Sequence, residues 1–171
     1  MTTPITTAVE FFSHAELECK GSRKRDAQGR GIPGTGVIRL DPRFATALPL
    51  LRRAWGRPVS PSSVCRTPAH NSTMRPAGHP TSLHLTENPR WPTLGTMAMD
   101  WPWRGWSAAD QLAFARLAWN MGWSVGLHDG FCHIDRRGDL GLRELPQAVF
   151  LYGTWSGRFP AASVRTSEAS A

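Results

Sequence analysis

Two long stretches repeat apolar residues at helical spacing. The first opens at Asp41-Pro42, an acidic cap followed by a proline in the first turn. Phe44, Ala47, Leu48, Leu51 and Trp55 then line one apolar face, and Gly56 and Pro58 end it. Pro49 lies inside this run and is expected to kink or shift the helix. The second stretch, SAADQLAFARLAWNMG, is capped by Ser107 with Asp110 three residues on, and Gly122 closes it. Ser13 and Glu16 repeat the capping pattern before a short helix. Shorter apolar runs predict strands over Val59–Arg66, which Pro61 interrupts or edges, and over Thr96–Trp101 around Asp100. Ser124–Leu127 and Phe131–Arg136 read as two strands about a His128-Asp129-Gly130 turn. Thr67 to Asn71 predicts a turn or short helix. Residues 72–95, rich in Pro, Gly, Thr and Ser, predict a long surface loop. A short apolar piece, AVFLYGTW, follows the polar turn RRGDLG. The order shows no βαβ alternation and predicts an α+β fold, a small mostly antiparallel sheet with helices packed on it. One domain is expected over 1–155, with a disordered tail over 156–171.

Composition narrows the class. The chain has 171 residues, 40% hydrophobic and 19% charged, which suits one globular core and excludes wholesale disorder. No apolar run is long enough to span a bilayer, so no membrane insertion is expected. The start of the chain lacks a basic segment followed by an apolar core, so no secretory signal is expected. The net charge of +7, nearly all arginine, favours a polyanionic partner such as a cell wall or nucleic acid. Its densest part, residues 20–36, is glycine-rich and has no interleaved aromatic residues. It is read as a solvated mobile loop rather than a nucleic-acid site. Cys19, Cys65 and Cys132 form no paired motif and are expected to be reduced and buried.

The candidate chemistry lies in two segments. SLHLTENPRWPTLGTMAMD offers His84 and Asp100, and GLHDGFCHID offers His133. Residues two apart on a strand share a face, so Ala98 goes with Asp100, and Phe131 and Asp135 go with His133. Two imidazoles and a carboxylate suit zinc, with a fourth position left for water.

These residues stand in a wider pattern. Ser82-Leu83-His84, Ala98-Met99-Asp100 and Phe131-Cys132-His133-Ile134-Asp135 follow one another in order. Upstream lies Ser63-Val64-Cys65-Arg66-Thr67-Pro68-Ala69-His70-Asn71, and Ala77-Gly78 precedes the first histidine. Over roughly residues 10–137 the chain resembles the zinc peptidases of the D-Ala-D-Ala carboxypeptidase and L-alanoyl-D-glutamate endopeptidase type, which share their fold with the hedgehog signalling domain. The resemblance implies a zinc site of His84, Asp100 and His133. It implies Arg66 as a donor to the substrate carbonyl or carboxylate, and a general base close to His133. Ser82 and Trp91 join Arg66 as expected substrate-binding residues.

The chain departs from the family in two places. Residues 85–99 separate His84 from Asp100, a longer gap than relatives have, and the stretch 85–95 is read as an insertion carrying Trp91. The position three residues before His133, where many relatives carry the base, is Gly130. Asp129, Asp135 and His128 remain the candidates for that role, with Asp135 alternatively supporting His133. His70 and His79 are given structural or surface roles, and Trp101, Trp103 and Trp106 are read mainly as packing residues. The resulting expectation is a monomeric zinc peptidase acting on peptidoglycan stem peptides, of phage endolysin type. It would be made in the cytoplasm and reach the wall after release, or be carried on a virion. A zinc-binding structural or virion protein without turnover is the alternative.

Overall fold

Asp41 is where the chain commits to its first long helix. In a computed structural model that describes residues 3–21 and 35–166, its carboxylate accepts from the Arg43 N–H at 3.0 Å and caps the helix Pro42–Trp55. Three short or long companions complete the helical set among the described residues: α1 (His14–Leu17), α3 (Pro68–Thr73) and α4 (Ala108–Asn120), with Pro42–Trp55 as α2. Ser107 caps α4 by accepting from the Asp110 N–H, and Gly122 follows it at φ +85°. At α1 the Glu16 carboxylate accepts from both the N–H and the hydroxyl of Ser13.

Pro49 does not break α2, which runs as one element of 14 residues. The missing N–H removes one backbone bond. Phe44, Ala45, Leu48 and Leu51 hold the buried face on both sides of it, and Gly56 closes the end in the left-handed conformation.

The helices pack on a sheet of four strands in the order β1-β3-β2-β4. These are β1 (Ala98–Pro102), β2 (Ser124–Leu127), β3 (Phe131–Asp135) and β4 (Val149–Leu151). The first three pair antiparallel, and β4 joins β2 in parallel. The α+β architecture and the mostly antiparallel sheet are therefore as the sequence predicts. Trp101 of β1 is fully buried and lies 4.6 Å from Phe114 of α4, between ring centres. Trp55 of α2 stacks on Trp106 at 5.2 Å and meets Phe114 edge-on. Trp101 and Trp103 are core residues, and Trp106 packs against the core. All three cysteines are free and buried. Among the described residues no helix is long and apolar enough to cross a membrane.

Three expectations change. Val59–Arg66 forms no strand: it touches β1 at one bridge, Ser63 to Asp100, and touches Leu85 at another, from Arg66. Pro58 and Pro61 remove the donors that a longer ladder needs. The 72–95 segment is irregular after α3 ends at Thr73 but is not wholly on the surface, because Leu83, His84, Leu85 and Thr86 are buried. The segment from 156 to 166 packs on the fold instead of trailing from it. Phe159 and Val164 are buried, Ala161–Arg165 forms a 3-10 turn, and Arg116 of α4 donates to the Ser163 carbonyl. The rest of that tail and most of the 20–36 loop lie outside the described residues.

Asp41 has a second task. Its other oxygen accepts from the Leu94 N–H at 3.0 Å and from Arg43 Nη2 at 2.7 Å. Burial alone would raise this carboxyl, but the bonds from Arg43 and Leu94 outweigh it and hold it below the usual range. The stability it contributes is thus present above the ordinary carboxylate range and is lost as pH falls through the depressed value. Asp41→Ala is expected to cost about 2 kcal/mol in urea unfolding at pH 7, from a lost cap and unpaired buried donors. The gap between the two proteins should narrow on acidification.

Candidate metal centre

The register of two strands sets the site. β1 and β3 pair so that Asp100 stands directly opposite His133. Directly paired residues share a face of the sheet, and Trp101, next to Asp100, takes the opposite face toward α4. Here the His133 Nδ1 lies 3.0 Å from Asp100 Oδ1.

His84 comes from the irregular segment and is pinned from both sides. Its carbonyl accepts from the Arg66 N–H and the Thr96 hydroxyl, each at 2.8 Å. The Leu83 carbonyl accepts from the Met97 N–H. The His84 ring donates from Nδ1 to the Val64 carbonyl at 2.8 Å, which fixes the ring and turns Nε2 inward. That nitrogen lies 3.2 Å from Asp100 Oδ1 and 3.3 Å from His133 Nδ1.

Three donor atoms thus form a triangle with edges of 3.0, 3.2 and 3.3 Å. Tetrahedral zinc with bonds of about 2.0–2.1 Å places its ligand atoms roughly 3.3 Å apart. The donor set and its spacing therefore fit zinc. All three side chains are buried, and they are the one cluster of this kind among the described residues. Burial lowers the His84 imidazole, which keeps it neutral as a ligand must be. Burial would also lower His133, but hydrogen bonds to Asp100 and Asp135 outweigh it and raise the imidazole. Burial disfavours the Asp100 charge, yet the two histidines pull its carboxyl far below the usual range.

The other predicted site residues divide. Asp135 is fully buried; its Oδ2 takes His133 Nε2 at 3.0 Å and Arg137 Nη2 at 2.6 Å, and its Oδ1 takes the Arg137 N–H and Nε. It orients His133 rather than standing free. Arg66 lies beside the cluster, donating from Nη2 to Asp100 Oδ2 and from Nε to Ser63 Oγ, both at 2.8 Å. Ser82 shapes the turn before His84, its hydroxyl accepting the His84 N–H. Asp129 is drawn to the C-terminal segment, where its Oδ1 accepts from the N–H and hydroxyl of Ser156. Those bonds hold it below the usual carboxylate range, which weakens it as a base. His128 stacks on Phe131 at 4.1 Å, and its Nδ1 accepts the Gly130 N–H, so in the neutral ring Nε2 carries the proton. Trp91 packs against the core with the Arg90 guanidinium 4.5 Å from its ring centre. Asn88 ties the 85–95 stretch back by donating to the Thr81 and Ser82 carbonyls.

Two residues escape the motif pattern. Phe150 and Tyr152, from β4 and its end, lie 5.7 and 6.0 Å from the His133 ring centre. Gly126 of β2 admits them: a Cβ there would come within 2.5 Å of Phe150 and 2.8 Å of Tyr152. The sequence signal was present in AVFLYGTW, but the parallel pairing that brings it beside His133 is a tertiary fact.

A family model described as Peptidase M15 matches residues 11–135. No curated protein and no solved structure matches the chain. Gly126→Ala is expected to destabilise the fold by about 1–3 kcal/mol through overpacking. It should also loosen the aromatic wall, seen as loss of near-ultraviolet dichroism with far-ultraviolet dichroism retained.

Proposed function

The chain belongs to the M15 peptidase family, and from that premise we propose that it is a zinc-dependent peptidase acting on peptidoglycan stem peptides. The observation that carries this reading is the His84–Asp100–His133 triangle, whose edges suit a tetrahedral zinc. The chemistry that a bound zinc supplies is Lewis acidity toward a carbonyl and an acidified water.

The chain's own residues do the rest. Val64 and Asp135 hold the two imidazoles in one ring orientation. Arg66 neutralises the second oxygen of Asp100, so that the carboxylate presents Oδ1 to the cluster. In this reading the remaining donors of its fork meet a substrate carbonyl or carboxylate. The positive charge of the chain favours adsorption to an anionic wall, consistent with a lysis enzyme or a virion component.

A second reading has one observation in its favour. Gly130 occupies the usual base position, Asp129 is held by Ser156, and Asp135 is held by His133 and Arg137. A zinc-binding protein without turnover would have this arrangement. At Gly130 a Cβ meets nothing closer than 3.5 Å, so a side chain is accommodated there.

Release of stem-peptide products from purified peptidoglycan, abolished by EDTA and restored by zinc, is the expected outcome for the peptidase. Absence of turnover in fully zinc-loaded protein selects the second reading. Gly130→Glu should raise the rate roughly 100-fold if only the base is missing. Asp135→Asn should weaken zinc affinity about 10- to 100-fold in a competition titration.

A further inference from the structure

β4 lies beyond the region that the family model matches, and it adds a wall to the metal centre. Its parallel register with β2 places Phe150 beside Gly126, which is itself opposite His133. The Tyr152 N–H donates to the Leu127 carbonyl at 3.0 Å, which fixes the residue just after the strand. Its ring then sits 6.0 Å from His133, 5.7 Å from Phe150, 5.7 Å from Phe131 and 6.1 Å from His128.

Packing alone does not account for a tyrosine here. The residue is about one-third exposed, at 36%, and its ring stands beside that of His133. Phe150, against which the Tyr152 ring packs, carries the Arg137 guanidinium 4.6 Å from its own ring centre. A tyrosine offers an apolar body for the aromatic wall and one polar O–H for a ligand. Of the Arg66 fork, by contrast, Nε and Nη2 are already engaged by Ser63 and Asp100.

Building on the peptidase reading, we propose that Tyr152 contacts substrate, its phenol O–H donating a hydrogen bond to the carbonyl oxygen of a peptide bound at the His84–Asp100–His133 cluster. The strand that follows the matched region thus supplies a donor in addition to those that Arg66 keeps free of Ser63 and Asp100. Gly126 is a positioning residue for it, because any side chain there would push the two rings away.

Tyr152 is the only tyrosine in the chain, so it gives a single signal when the full protein is labelled with ring-13C tyrosine. The experiment adds a phosphinate analogue of a D-Ala-D-Ala dipeptide to zinc-loaded wild type and to Tyr152→Phe. The expected results are a shift of the tyrosine signal in wild type and about 10-fold weaker analogue binding by the variant, with unchanged zinc affinity. Where peptide is cleaved, kcat should fall 10- to 100-fold in the variant, with KM little changed. The inference is overturned if the analogue leaves the tyrosine signal in place, or if Tyr152→Phe binds the analogue and cleaves peptide like wild type. An analogue-dependent shift without any peptide hydrolysis would sustain the Tyr152 contact while removing the peptidase reading. Equal cleavage by both proteins would do the reverse.

Discussion

The cross-strand pair of Asp100 and His133 is the constraint on which the site depends. One carboxylate oxygen meets His133 and His84, while the other meets Arg66. This concentrates two imidazoles, a carboxylate and a guanidinium in a buried volume, a costly arrangement unless every group is paired. Here every group is: Val64 takes the far side of His84, Asp135 the far side of His133, and Ser63 part of Arg66. A one-residue slip of β3 would turn Cys132 and Ile134 toward the cluster and His133 away from it. Trp101 and Ile134, buried on the other face, oppose such a slip.

Around that pair the irregular parts of the chain serve as supports. Residues 62–66 cross β1 at Ser63 and run beside the His84 segment, so that Arg66 and His84 are set by the same short contact. The longer gap between His84 and Asp100 does not loosen the site. Asn88 folds the 85–95 stretch onto the Thr81–Ser82 turn, and Asp41 anchors Leu94. Asn71 performs a comparable task upstream, donating to the His79 carbonyl with its amide against Gly78, where a Cβ has no room. The matches at Asn71 and Gly78 are thus about holding the loop. His70 lies 3.3 Å from the Cys19 sulfur, a structural contact that agrees with its expected role.

Local pattern suffices for some elements of this chain and not for others. Asp41-Pro42, Ser107 with Asp110, and Gly122 gave the two long helices, because caps and left-handed glycines act within one turn of chain. The hairpin about His128–Gly130 was legible for the same reason. The Val59–Arg66 strand failed because a short run says nothing about whether a partner edge is within reach, and Pro58 and Pro61 lack the donors for one. Over residues 156–166 the expected disorder failed because the small polar residues hide Phe159, which packs edge-on against Trp155, and Val164, in a turn whose Ser163 carbonyl accepts from Arg116 of α4.

The sequence by itself determined the candidate donor types and their order, since His84, Asp100 and His133 sit in short motifs whose chemistry is local. It also determined that Asp100 and Asp135 fall on faces shared with Ala98 and His133, because strand alternation is fixed by backbone geometry. Only the tertiary structure decided which neighbouring groups were available. Asp129 turns to Ser156, Asp135 is taken by His133 and Arg137, and Tyr152 arrives beside His133 through a parallel edge strand. These outcomes rest on hydrogen-bond partners and packing distant in sequence, and no local pattern encodes which partner a polar group finds first.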